Sequence, residues 1–123
     1  MSNRSENNAL TGKLAEDAVL QALLAQGFTL LERNYRAGRV GELDIIVQKG
    51  RRIYIVEVKS RKNQDSFGGS ASAITAKKRM KLKRSTAIFL AERHLFGYDI
   101  VFLAGCVTHS DEGIITNVQI IPF

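Results

Sequence analysis

Asp44, Glu57 and Lys59 combine two hard-oxygen ligands with one ammonium, and their spacing can bring all three to one place. The runs ELDIIVQ (42–48) and IYIVEVKSR (53–61), joined by KGRR, are rich in β-branched residues around a short glycine-containing turn, which predicts a β-hairpin. Side chains alternate along strands. Glu42, Asp44 and Ile46 are therefore expected on one face of the first arm, with Leu43, Ile45 and Val47 on the other. On the second arm Ile55, Glu57 and Lys59 share a face, and Tyr54, Val56 and Val58 share its opposite. A turn centred on Gly50 and Arg51 pairs position 49 with 52, which sets Asp44 opposite Glu57 and Glu42 opposite Lys59.

Two carboxylates facing each other across a strand pair repel. At ~4 Å the repulsion is about 4 kcal/mol for an effective dielectric of 20 and about 1 kcal/mol in bulk water. A cation would offset it. Mg²⁺ or Mn²⁺ suits the donors: Asp44, Glu57 and a strand carbonyl, that of Val58, leave further octahedral positions to water and phosphate. Lys59 could then hold the attacking water and offset charge on a pentacovalent transition state. The competing structural reading is an exposed sheet face with charges paired across strands. The apolar flanks of both runs argue instead for a central position, where charges need partners.

A third acid has a helical setting. In TGKLAEDAVLQALL, Leu20 and Leu23 follow Glu16 along one stripe, so Glu16 should point toward the sheet and Asp17 more toward solvent. Glu16 could bind a metal-ligated water or a second metal; equally, it could close a structural salt bridge to Lys59 or Arg33.

The elements needed to position these residues follow from periodicity and punctuation. Leu and Ala at helical spacing predict a helix from Gly12 to Gln26, stopped by Gly27, and residues 1–10 read as disordered. Phe28 to Tyr35 reads as a strand and RAGRVG (36–41) as a basic turn. After the hairpin, residues 62–73 are rich in Gly, Ser and Asn and read as a mobile loop. Thr75 can cap a second helix through Arg93. Strands near YDIVFLA and IITNVQII, with a turn over His109 to Gly113, complete one domain spanning residues 1–123.

The chain has 18 Lys and Arg against 12 Asp and Glu, a net charge of +6 that favours a polyanionic partner. A single cysteine, Cys106, excludes an intrachain disulfide and a zinc–cysteine cluster and reads as a core residue. His94 and His109 lack ligand spacing, and no Walker pattern occurs. The N-terminus lacks the apolar core of a signal peptide, and no run approaches the roughly 18 apolar residues of a membrane span, so a cytoplasmic protein without a membrane partner is expected.

Asp44 followed by Glu57-Val58-Lys59 on the next strand resembles the PD-(D/E)xK nuclease signature of restriction enzymes and archaeal Holliday-junction resolvases. GKLAEDAVLQALLAQGF, LLERNYR, GELDIIV, IVEVKSR and the basic KK-R-K segment resemble, in that order, the YraN-like family of bacterial proteins, over roughly Gly12 to Phe102. The resemblance implies an α/β, restriction-endonuclease-like fold, a mixed central sheet flanked by helices. It implies Glu16 as the helix acid, Asp44 as principal metal ligand, Glu57 as second ligand and Lys59 as catalytic lysine, with Glu42 in a GE-x-D motif. Two positions depart from the pattern: Leu43 replaces Pro before Asp44, and Gly97 stands where many members carry Arg before an aromatic–Asp pair, here Tyr98-Asp99.

The expected activity is Mg²⁺-dependent cleavage of DNA, including branched or damaged forms; the alternative is an inactive nucleic-acid-binding or adaptor module that keeps the fold. An assembly factor using its basic face is a third reading. Arg33, Tyr35, Arg36, Arg39, Arg61, Lys77, Lys78, Arg79 and Lys81 are the candidate nucleic-acid contacts, with Tyr35 available for stacking unless it packs in the core. A homodimer, pairing through an exposed strand such as IITNVQII, fits the two cuts that a duplex needs.

Overall fold

The structure, a computed structural model, describes residues 4–62 and 75–123. Helix α1 (Arg4–Ala25) leads into strands β1 (Thr29–Ala37), β2 (Gly41–Lys49) and β3 (Arg52–Lys62); helix α2 (Ala76–Glu92) and strands β4 (Asp99–His109) and β5 (Ile115–Pro122) follow. The five strands form one mixed sheet in sequence order. Only β3 and β4 run parallel, and α2 lies within the crossover that such a pair requires. The predicted loop lies outside the described residues, apart from Lys62 at the end of β3.

Both helix ends identified from composition hold. Gly27, at φ 91°, closes α1, with the Phe28 N–H bonded to the Leu23 carbonyl. The Thr75 hydroxyl accepts from the Lys78 N–H at 3.1 Å and caps α2. Helix α1 begins at Arg4, eight residues before the expected Gly12 start. Once the later turns are nucleated by packing, each added residue gains a hydrogen bond at small cost, and a single glycine does not stop that propagation.

Each helix buries one face of the sheet. Ala15, Val19, Leu20 and Leu23 of α1 pack with Ile45, Val47, Val56 and Val107. Leu82 and Phe89 of α2 pack with Tyr35, Leu43, Ile46, Ile53 and Ile55. Helix α1 approaches β4 so closely that a Cβ on Gly105 would lie 2.8 Å from a Val19 methyl. Cys106 is buried, as expected of a core thiol.

The hairpin register is the expected one: Lys49 pairs with Arg52, and the β2–β3 ladder runs to Ile45 opposite Val56. Gly50, at φ 61°, makes the turn. Strict alternation fails at Asp44, however, because Leu43 packs on the α2 side while Ile45 packs on the α1 side. The neighbouring strand flips at the same level. Arg33 pairs with Ile45 and Tyr35 with Leu43, so Asn34 stands across from Asp44, and Asn34 has a left-handed backbone, φ 50°. Arg33 accordingly reaches α1, whereas Tyr35 stacks edge-on against Phe89 of α2. The result is an α/β, restriction-endonuclease-like architecture: a mixed sheet, a helix on each face, and a coordinated kink of β1 and β2 at Asp44.

Candidate functional site

At that kink the hairpin becomes a fork. Beyond Ile45 and Val56 the ladder stops, and the Asp44 side chain replaces a main-chain acceptor: its Oδ2 accepts from the Val58 N–H at 2.8 Å. Glu57 is buried on the α2 side, and its Oε1 meets Lys78 Nζ at 2.9 Å. Lys59 follows on the same face, beside Lys78. Asp44, Glu57 and Lys59 therefore converge as the residue types suggested, although Asp44 and Glu57 flank a fork instead of forming a ladder pair.

Electrostatics register how tightly the acids are gathered. Burial and the charge of Glu57 push the Asp44 carboxyl up to about 7; the Val58 N–H opposes the shift, while Glu16 and Glu42 add to it. Lys59 moves down, first through burial and then through the adjacent Lys78 ammonium. For Lys78 burial acts downward, but the hydrogen bond and charge of Glu57 outweigh it and the ammonium is strengthened. Among the described residues, no three His, Cys, Asp or Glu side chains form a ready-made metal cage. Asp44 and Glu57 are instead a two-carboxylate donor set, the number that Mg²⁺ uses when water and phosphate complete its shell.

Glu16 points toward the sheet, as its helical position predicts, and takes the salt-bridge alternative: Arg33 lies 3.6 Å from Glu16 and 2.8 Å from Asp17. One Glu16 oxygen is buried without a hydrogen bond among the described residues, and Glu16, Arg33 and Asn34 border an open hollow of about 480 Å³. Glu42 does not complete the expected cross-strand pairing with Lys59. It lines a second hollow, about 130 Å³, together with Glu57, Lys78, Lys81 and the buried Ser85, whose hydroxyl has no hydrogen-bond partner among the described residues.

Three candidate nucleic-acid contacts, Tyr35, Arg33 and Lys78, are engaged within the protein instead. Tyr35 is buried, bonds through its hydroxyl to Glu92 and packs on Phe89, so its ring is not available for base stacking; burial and then Glu92 push its phenol up to about 12. Arg33 is committed to the two acids of α1. The first two follow from the flip at Asn34, which turns these side chains inward on opposite faces. Arg36, Arg39, Lys77, Arg79 and Lys81 are exposed, and Arg61 is half-buried beyond Lys59. Lys78 is the residue whose place residue type did not reveal: it turns into the carboxylates instead of joining its exposed neighbours. The available signal was its position three residues after the Thr75 cap, on the stripe continued by Leu82 and Ser85.

Gly97 has no bearing on this site. It lies beside Arg51 at the turn end of the hairpin, where the Asp99 N–H bonds to the Arg51 carbonyl, so the missing arginine removes nothing from the fork. His109 makes a local contact to the Ser110 carbonyl and His94 is exposed; neither approaches the acids. No helix among the described residues is long and apolar enough to cross a membrane.

Relatives share this sequence pattern across most of the chain. A protein of Dictyoglomus turgidum described as "UPF0102 protein" is 35% identical over 116 residues, covering 94% of this chain and 97% of its own. A UPF0102 protein of Neisseria gonorrhoeae is 47% identical over 88 residues, 72% of this chain and 75% of its own, and one from Dictyoglomus thermophilum is 40% identical over 87 residues, 71% and 72%. Residues 15–103, from the residue before Glu16 to the middle of β4, match the family described as "Uncharacterised protein family UPF0102", and the chain belongs to that family.

Proposed function

We propose that this protein is a Mg²⁺- or Mn²⁺-dependent endonuclease that hydrolyses phosphodiester bonds in DNA. The observation that carries the reading is the fork itself: Asp44, Glu57 and Lys59 converge where the β2–β3 ladder stops, with Glu16 and Glu42 close enough to act on the Asp44 carboxyl. When bound, the divalent ion would supply Lewis-acid polarisation of the scissile phosphate. Asp44 and Glu57, with the Val58 carbonyl, are the residues to hold it, and Glu16, held by Arg33 on the α1 side, would orient a water of its shell. The Val58 N–H fixes one Asp44 oxygen and so orients the other. Lys59, whose ammonium is destabilised by burial and by Lys78, is suited to take a proton from the attacking water at Nζ; as an ammonium it then offsets charge at the phosphorus. Arg36, Arg39, Arg61, Lys77, Arg79 and Lys81 supply sequence-independent phosphate contacts.

The test is cleavage of duplex, single-stranded and four-way-junction DNA by purified protein in Mg²⁺ or Mn²⁺. Asp44→Ala and Lys59→Ala are each expected to lower the rate on the order of a hundredfold or more. Absence of cleavage by the wild type, or cleavage by both variants at the wild-type rate, would sink the proposal. A second reading, a non-cleaving DNA-binding or adaptor module, draws on the Lys78–Glu57 ion pair, which satisfies the acid without a metal. Binding that weakens steeply with salt and ignores divalent ions would favour it. Strand β5 lies at the edge of the sheet and offers main-chain groups to a second copy, so a homodimer is part of the proposal, checked by sedimentation.

A further inference from the structure

The ion pair between α2 and the fork gives Lys78 a role distinct from the other basic residues of its helix. Its Nζ lies 2.9 Å from Glu57 Oε1, the carboxylate side chain is only 12% exposed, and the pair borders the hollow shared with Glu42, Lys81 and Ser85. Lys77, Arg79 and Lys81 are exposed, so the helix has a choice of outward ammonium and guanidinium groups and directs one of them inward. The attachment is not loose: Thr75 caps the first turn through the Lys78 N–H itself, which fixes the backbone from which the side chain extends.

We propose that Lys78 is the resident counter-cation of Glu57, occupying the ligand oxygen that a divalent ion must take, so that metal loading requires displacement of this ammonium. A carboxylate this buried needs a partner at all times. Lys78 meets that need in the metal-free protein, and the hollow beside it, about 130 Å³ with Glu42, Glu57, Lys81 and Ser85 among its lining residues, has room and polar partners for water to accompany an incoming ion. The consequence is an affinity for cations set partly from α2, not by the hairpin acids alone. The inference rests on the nuclease reading for the identity of the site as a metal site.

Calorimetric titration of the full chain with Mn²⁺ separates the two ideas, with thermal melts to verify that each variant is folded. Lys78→Met is expected to bind Mn²⁺ roughly three- to tenfold more tightly than wild type, because both the competing ion pair and a neighbouring positive charge are gone. Lys78→Arg, which keeps the charge and grips a carboxylate with two donors, is expected to bind more weakly than Lys78→Met and no more tightly than wild type. Asp44→Asn should lose binding in either background. If wild type binds Mn²⁺, Asp44→Asn does not, and Lys78→Met binds no more tightly than wild type, the displacement role is overturned while the metal site stands. If neither wild type nor Lys78→Met binds Mn²⁺, the metal site fails and the displacement role with it. Binding by Lys78→Met alone would be the strongest support.

Discussion

The two ends of one hairpin are built on opposite principles. From the turn at Gly50 to the pair Ile45–Val56 the ladder is continuous, and Ile45, Ile46, Val47, Ile53, Ile55 and Val56 are all at most 1% exposed. One step further the ladder stops, and Asp44, Glu57, Lys59 and Lys78 gather where hydrophobic residues would have been more stable. The closed end holds the strands in register through apolar burial on both faces; the open end uses that rigidity to hold like charges together. A site that must keep side chains in place against their mutual repulsion benefits from lying immediately beside the best-packed part of the sheet.

The largest expected effect is at the closed end. Ile55→Ala, at a position 1% exposed beneath α2, should destabilise the protein by about 3 kcal/mol, measured by urea unfolding, through lost burial and a residual cavity. A cost below about 1 kcal/mol would mean that the closed end is not the rigid platform described.

The open end should respond with the opposite sign. Asp44 titrates at about 7 in the folded chain against an ordinary value of 3.8. An acid whose folded value is raised adds its full stability below the unfolded value and loses it as pH rises through the folded one. Neutral Asp44→Asn escapes that loss, and its side-chain oxygen can still accept from Val58. In chelator, the variant should be more stable than wild type by about 2 kcal/mol at pH 8, allowing for partial solvent access, and the gain should shrink toward zero near pH 4. Melting curves across pH check this; a destabilised Asp44→Asn at pH 8 would show that the fork is not charge-frustrated.

The same contrast explains what was legible in the sequence. The hairpin, its turn and its register follow from local signals, namely β-branched runs and a glycine able to take φ 61°, and these give the closed end correctly. The α2 cap at Thr75 is equally local. The open end depends on non-local agreement between strands: the reversal of faces at Asp44 is matched by Asn34, on a different strand, which adopts a left-handed backbone at the same level. Nothing in the period-2 pattern of Leu43, Ile45 and Val47 discloses it. Residue type thus picked out Asp44, Glu57 and Lys59 as side chains that come together, while the burial of Tyr35 and the commitment of Arg33 to α1 came with that reversal. Lys78 escaped for a related reason, since the direction of a helical side chain toward a sheet is set by packing of Leu82 and Phe89, not by a basic run whose charges surround the helix.

The smallest expected effect links the two ends through α2. Thr75 lies outside the fork, yet its hydroxyl caps the turn that carries Lys78. Thr75→Ala should cost about 1 kcal/mol of stability in urea unfolding, the ordinary value for a lost cap. The informative readout is elsewhere: if the cap holds Lys78 against Glu57, fraying the first turn weakens that ion pair, and Thr75→Ala should bind Mn²⁺ slightly more tightly despite its lower stability. A substitution that merely loosened the protein would weaken metal binding instead, because the ligands would be less well held. The sign of the change in affinity, set beside the sign of the change in stability, therefore tells whether α2 regulates the open end or only covers the closed one.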